Sequence, residues 1–527
     1  MIASDLDKSS GEITSNSPEA LKYFSEGIAF DLKMEYPEAV VQFKNAVAAD
    51  PKFAMAHHRL SACYSNMGEE AEAQKYRQKA MELRGRVSER ERLLIESDYY
   101  SYDKNEPEKS IEILLKLLKL YPDDLLGNRY LAIVYGHLGQ MDKNILYREK
   151  AFRLYPESPK DCLNLVNSYL YMGWLGKIEE FLKAYLKDFP DTLSARWQLF
   201  EAYVYQNKFD LALSELDARL RLEPKFQITI NRAVVYYSKG DVQATEQECQ
   251  KLLNSKNKKD QCWGKMITSY LLVLKGLLGK AKNSYEETLA WATKEEDRKE
   301  LSYLVIYLSW IFQNLIGLDL AMGNFSEANE LGEEAIRIFR EEKESIYQWL
   351  RLRIFFIFQG RIQLAQKNIA EAMKTTEELR NHMANEKDQS LQCLPLFLSG
   401  LTDIERGDYQ KAIGELEKAE ELLGTFSTTL PFWEWQALYH EALGRAYFMG
   451  KKLKKAEEEY RKIASTGIYR LMPETWVQSF YWLGRIAEER GKKGRAREHY
   501  TKFLDFWKNA DPGLPIVEDA KKRLSAL

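Results

Sequence analysis

Proline is scarce in this chain: fourteen in 527 residues, about half the roughly 5% typical of proteins. Glycine, at 28, also falls below its usual share of roughly 7%. Few helix breakers, together with 11 Trp, 31 Tyr and 23 Phe, point to helices packed through large side chains. An excess of either charge is lacking as well. Lys+Arg number 76 against Asp+Glu 79, which excludes a global attraction to nucleic acid or an anionic membrane. CxxC pairs are missing: Cys63, Cys162, Cys249, Cys262 and Cys393 lie far apart, an odd and sparse set that fits a reducing compartment better than a disulfide framework. The opening stretch 1–16 is polar and has no apolar signal core. Only residues 301–322 are long and apolar enough to suggest a membrane span, but they carry Gln313, Asn314 and Asp319 and run into a turn at Gly323. A buried helix is expected there, and no membrane insertion. With 45% hydrophobic and 29% charged residues the chain is a folded one, too long for a single compact core.

The few prolines keep a ruler. Pro122, Pro156, Pro190 and Pro224 are each 34 residues apart, and Pro51 stands 71 before Pro122. A fixed period of this length marks a repeat array. Other residues fall in register with it: Gly27, Phe30, Ala39, Phe43 and Ala46 before Pro51, then Leu60, Tyr64, Gly68, Ala73 and Ala80. Leu131, Ala132, Tyr135, Gly139 and Ala151 repeat the set, as do Gly444, Tyr447, Ala456 and Tyr460, and Gly484, Gly491, Ala496 and Tyr500. Small residues at the eighth and twentieth positions let two helices approach. Tyr or Phe at the eleventh and twenty-fourth is expected to fill the space between neighbouring hairpins, glycine near the fifteenth to make the turn, and proline at the thirty-second to end the second helix.

This pattern resembles the tetratricopeptide repeat (TPR) family. The resemblance implies an all-α, right-handed superhelical solenoid of about thirteen helix–turn–helix repeats, none able to bury its apolar face alone. We expect a polar tail at 1–16, about seven repeats over 17–257, about six less regular ones over 258–510, and a capping helix over 511–527. The third unit departs from the pattern with Ser110 and Leu117 at small positions. Between Pro224 and Pro395 the register rests on Gly276/Ala281, Gly323/Ala328/Ala335, Gly360/Ala365/Ala372 and Gly407/Ala412/Ala419. The polar stretch 254–259 reads as an exposed turn or a seam between two segments. Residues 13–27, 87–100 and 503–527 are similar to the TPR region carried by some bacterial serine/threonine kinases and related regulators. That likeness implies a sensing or docking module, although no Gly-rich loop, HRD or DFG motif is present.

Catalytic patterns are missing. There is no P-loop, HExxH or GxSxG. The adjacent His57 and His58 diverge by about 100° on a helix and cannot share a metal, so one packed and one groove-facing histidine are expected. No enzyme activity, cofactor or metal is expected, and the cysteines are expected to be free and buried. From 451 to 527 there are 18 Lys/Arg against 11 Asp/Glu, spread around amphipathic helices, and no nucleic-acid partner is expected.

In a TPR array the first helix of each unit lines the concave groove, at positions 2, 5/6, 9 and 12. Projecting these gives Arg129 from the fourth unit, Lys160, Asn164 and Asn167 from the fifth, Trp197, Gln198 and Glu201 from the sixth, and Asn231 and Arg232 from the seventh. Amides pair with an extended peptide backbone, and Arg or Lys holds a carboxylate. The carboxylate-clamp pattern of some TPR domains is incomplete, with Ile133 where asparagine would stand. The expected function is a non-catalytic, cytoplasmic scaffold that binds a protein or peptide in its groove. The alternative is the sensor or regulatory region of a bacterial serine/threonine kinase-type protein, associated with a signalling kinase and membrane-tethered only within a longer polypeptide.

Overall fold

The computed structural model describes residues 13–224, 228–292, 304–341, 348–384, 389–425 and 432–527. Among the described residues there are 27 α-helices and no strand. The helices pair into hairpins, and the turns count them. Each hairpin turn holds a single residue with a left-handed backbone: Gly68, Gly139, Gly173, Gly240, Gly276, Gly323, Gly407 and Gly491, and five non-glycines, Met34, Asn105, Asn207, Lys367 and Lys451. These thirteen turns give thirteen hairpins, with the helix Pro515–Ala526 after the last. The chain therefore has the all-α hairpin architecture its repeat implied. In the tenth hairpin the turn is at Lys367, not Gly360, which lies seven residues earlier inside the helix Gln348–Ala365. Gly360 occupies the eighth, close-approach position of its unit, where an added Cβ would meet Leu398 Cδ1 at 2.4 Å.

Several first helices begin with a side-chain cap. Ser17, Ser88, Asp124 and Ser158 each accept from a backbone N–H of the first turn. The matching second helices, starting at Tyr36, Pro107, Met141 and Leu175, follow the left-handed turn with no such cap. The prolines of the ruler each stand two residues beyond a second helix, as with Pro122 after Leu120 and Pro156 after Leu154.

Packing explains why the eighth and twenty-fourth positions travel together. A Cβ on Gly27 would lie 2.6 Å from the Phe43 ring, one on Gly444 2.7 Å from Tyr460, and one on Gly484 2.6 Å from Tyr500. The aromatic at position twenty-four thus lies flat on the glycine of its own hairpin, a tighter role than filling the gap between hairpins. In the third unit Leu117 is fully buried, and the room it needs comes from the next helix, where a Cβ on Gly127 would approach it to 2.9 Å.

The chain divides into two compact units, 1–198 and 199–527, with the dividing line inside the helix Leu193–Tyr205. In the first unit, the segment before the first hairpin is tied down by Glu91. Thr14 donates to it from backbone and side chain at 2.9 and 2.5 Å, while Glu91 also completes a capping box with Ser88. Arg90 beside it is buried on Asp124. The distinctive stretch 87–100 is therefore a structural brace.

The second unit joins its own ends. A short 3₁₀ insertion, Gly467–Leu471, lies between the twelfth and thirteenth hairpins. Gly467 N–H donates to Asn207 Oδ1 at 2.7 Å, and Asn207 Nδ2 donates to Ser465 O at 3.1 Å. The Tyr237 hydroxyl donates to Arg470 O at 2.9 Å. Further along, the Trp507 indole N–H reaches Val273 O at 3.1 Å and Asp511 accepts from Gly279 N–H at 2.7 Å. The helix Lys258–Leu274 packs directly on Pro473–Glu489. Of the stretch 254–259, residues 254–257 form the turn and 258–259 begin the helix Lys258–Leu274.

In the apolar first helix of the ninth hairpin, Leu304–Met322, residues 308–319 are mostly buried against neighbouring helices. Its Asp319 is fully buried and ion-paired with Lys282 at 2.6 Å. Among the described residues no helix is long and apolar enough to cross a membrane. All five cysteines are free and buried.

Candidate functional site: a polar cavity in the first unit

Three of the projected groove residues meet in one cavity of about 340 Å³ in the first unit. Arg129 is 6% exposed and grips Asp161 through both Nε, at 2.8 Å, and Nη2. Lys160 donates to Asp31 Oδ1 at 2.6 Å and lies over the Tyr36 ring. Burial opposes the Asp31 charge, but Lys160 and Arg59 outweigh it and hold the carboxyl below its ordinary range. Asn164 lines the same space. Asn167, Trp197 and Gln198 are half-buried in this unit but do not line the cavity. Glu201, Asn231 and Arg232 belong to the second unit, where Arg232 is paired with Asp217.

The cavity contains charges that the groove projection did not reach. Its lining carries five cationic side chains, Arg59, Arg77, Arg129, Arg148 and Lys160, against two acidic ones, Asp31 and Asp98. Arg77 is bound to Asp103 and Glu70 at 3.0 and 2.6 Å. Arg148 has no ion pair among the described residues, and its buried Nε, like that of Arg59, has no hydrogen-bond partner. Burial lowers the Arg148 pKa to about 10. The Tyr130 hydroxyl is likewise buried and unpaired.

Asp98 and His58 face each other at 3.6 Å without forming a charged pair. Burial raises Asp98 to about 6 despite Arg77. Burial also lowers His58 to about 3, helped by repulsion from Arg59, Arg77 and Arg90. His58 is neutral and sits edge-on to Tyr130. Both adjacent histidines are buried, His57 at 5% and His58 at 0% exposure, so neither is groove-facing as the sequence suggested. His57 stacks on Tyr76 and its Nε2 lies 3.2 Å from Pro51 O.

A sequence signal for these residues existed. Arg77 and Arg148 both occupy the twenty-fourth position of their units, where Phe43, Tyr460 and Tyr500 stand elsewhere. Arginine in place of the frame's aromatic marks a hairpin whose interior is polar. Extending the groove register back to the second unit reaches Arg59, Ala62 and Ser65, all of which line the cavity.

In the second unit, Glu420, His440 and Glu459 bring possible metal-ligating atoms within 4.8 Å of one another. Lys462 occupies the same cluster, 2.9 Å from Glu459 and 3.6 Å from Glu420. Lys462 thus already supplies a counter-charge to both carboxylates, and His440 Nδ1 lies 2.8 Å from Glu459.

The tetratricopeptide repeat family matches residues 198–260. No curated protein matches the sequence. Among solved structures the chain is similar to the APC/C hetero-tetramer Cut9-Hcn1, at 13% identity over 96% of each chain with a TM-score of 0.32. It is also similar to Naa15/Naa10 bound to HypK-THB, at 14% over 96% of each chain with a TM-score of 0.28. The human IFIT1 dimer with m7Gppp-AAAA aligns at 13% over 96% of this chain and 93% of that one, with a TM-score of 0.31. The hairpin architecture rests on the helices, their turns and the matched repeat.

Proposed function

We propose that this chain is a non-catalytic docking scaffold whose first unit binds an acidic segment of a protein partner in the groove lined by its first helices. The observation that carries this reading is Arg148, the one cavity-lining cation with no ion pair among the described residues, whose buried Nε has no hydrogen-bond partner. An unpaired buried charge is costly, and a ligand carboxylate would relieve that cost. Lys160 and Arg129 keep the cavity open through their pairs with Asp31 and Asp161, and Asn164 offers an amide to the ligand backbone. Asn167, Trp197 and Gln198 continue the same stripe. The reading places the chain in the cytoplasm, with a protein or peptide as partner.

The resemblance of 13–27, 87–100 and 503–527 to kinase-linked TPR regions supports a second reading, the sensor part of a bacterial serine/threonine kinase-type protein. A kinase domain encoded in frame upstream would decide for it.

The test uses Arg148→Leu, the residue that the fifth and sixth units place at position twenty-four as Leu182 and Leu216. The expected result is a first unit at least as stable to urea as the wild type, with affinity for Asp/Glu-rich peptides reduced at least tenfold in fluorescence anisotropy. Wild-type binding should also weaken steeply with salt. Equal affinity for acidic peptides and their Asn/Gln counterparts would overturn the proposal.

A further inference from the structure

The second unit encloses a separate cavity of about 250 Å³. It is lined by the first helices of the ninth to thirteenth hairpins, with Val273 from the eighth. The contacts that join the ends of this unit hold the thirteenth hairpin against the eighth, beside this cavity. Trp507 and Asp511 bind the backbone of residues 273–279, and Pro473–Glu489 lies against Lys258–Leu274.

The charges in the cavity fall into two groups. Arg445 is satisfied by Glu405. Arg361, Glu441 and Glu474 are not: none forms an ion pair with another residue among the described ones, although the three feel one another electrostatically. Among the described residues, the contact given for the Arg361 guanidinium is the Phe358 ring at 5.3 Å. Glu474 accepts one hydrogen bond, from Gln478 at 2.9 Å. Burial raises it to about 7, against the pull of Arg361. Gln313, 6% exposed, also lines the cavity, and its amide Nε2 is buried with no acceptor. Gly317 leaves open the space facing Glu474, where a Cβ would be 3.6 Å from its carboxylate.

A cavity with one unpaired cation, two unpaired carboxylates and an orphan amide donor is complementary to a molecule that carries both charges. An anion alone would leave the carboxylates uncompensated, and a cation alone would leave Arg361 so. The volume is below the roughly 300–1,000 Å³ of drug-sized pockets, which limits the ligand to about ten heavy atoms. Apolar walls from Phe397, Leu401 and Leu438 leave room for a short side chain.

We propose that the second unit binds a small zwitterion of the α-amino-acid class, with its carboxylate on Arg361 and the Gln313 amide and its ammonium on Glu441 and Glu474. Such a site adds a small-molecule input to the docking surface of the first unit and does not depend on it.

The experiment titrates the full chain with each of the twenty amino acids by calorimetry and thermal shift, at low ionic strength and concentrations up to millimolar. The strongest binder is then compared with its N-acetyl acid and its carboxamide, each lacking one charge. At least one free amino acid should bind, with both blocked forms at least tenfold weaker. Arg361→Gln should erase the preference for acid over carboxamide while keeping the preference for a free ammonium, and Glu441→Gln should do the reverse. Binding by none of the twenty, or blocked forms that bind within about twofold of the free amino acid, would overturn the proposal. The blocked-ligand comparison uses wild-type protein, so it decides the matter even if a variant fails to fold.

Discussion

The two units are built on one repeat frame but depart from it in different ways. The first keeps the 34-residue ruler and changes the filling: Arg77 and Arg148 stand where the frame places an aromatic, and the interior between helices becomes a charged cavity. The second keeps Tyr460 and Tyr500 on their glycines but loosens the ruler, and the insertion Gly467–Leu471 together with Trp507 joins its two ends. Repeat arrays are held by nearest-neighbour contacts, so an array without long-range contacts loses stability locally. The joined unit adds hydrogen bonds between residues more than two hundred positions apart. Such contacts should make its unfolding more cooperative.

Trp507→Ala is the largest way to break this contrast. The side chain is 2% exposed and its indole N–H is bonded to Val273. Removing a buried tryptophan costs about 3–5 kcal/mol. Urea unfolding followed by circular dichroism should show the second unit destabilised by that amount and its transition broadened, while the transition of the first unit stays in place. A sharp transition with unchanged slope would mean that the joining contacts do not couple the hairpins.

The frame itself was legible in the sequence because turns and close approaches demand particular residues. Glycine at a left-handed turn and glycine under an aromatic both leave a trace at fixed spacing. The misplaced tenth turn shows where that fails: Lys367 takes a conformation that glycine usually marks, and Gly360 serves the other glycine role. The groove projection found Arg129, Lys160 and Asn164 because first-helix positions follow from the register. It could not show that Arg129 and Lys160 already hold Asp161 and Asp31, since those partners lie 32 and 129 residues away. Arg148 was missed because it comes from a second helix. The joining of the second unit left no periodic trace, since each of its hydrogen bonds pairs one side chain, Asn207, Tyr237, Trp507 or Asp511, with a main-chain group far away in sequence.

Each unit also buries one carboxyl whose proton is held more tightly than in an unfolded chain, Asp98 at about 6 and Glu474 at about 7. A raised folded-state pKa means that the native state binds more protons, so this contribution is complete at pH below the ordinary carboxyl range. It is lost as pH rises through the folded value. In the first unit His58 hides the effect. Its pKa of about 3 makes stability rise with pH between about 3 and its ordinary 6.5, opposing Asp98. Variant differences remove that interference. The advantage of Asp98→Asn over wild type should grow from near zero at pH 4 to about 3 kcal/mol by pH 7. Glu474→Gln should gain a similar amount in the second unit, with its rise centred about one pH unit higher. A difference that stays flat with pH would show that these carboxyls are better solvated than their burial implies.

The smallest test asks whether the two units bear the same local strain. Met34 in the first and Lys451 in the second sit at φ of 64° and 60° in equivalent hairpin turns, where most units use glycine. A side chain in the left-handed region costs roughly 1–2 kcal/mol, and glycine gives back part of that gain through the greater freedom of the unfolded chain. Met34→Gly and Lys451→Gly should therefore each stabilise by about 0.5–1 kcal/mol in urea denaturation. Lys451 also makes an exposed pair with Glu489 at 3.2 Å, which is worth little at the surface. Equal gains would show that the turn is a property of the frame, indifferent to whether its unit is joined end to end. A gain only at Met34 would mean that closing the second unit imposes the turn geometry at Lys451 and leaves glycine nothing to relieve.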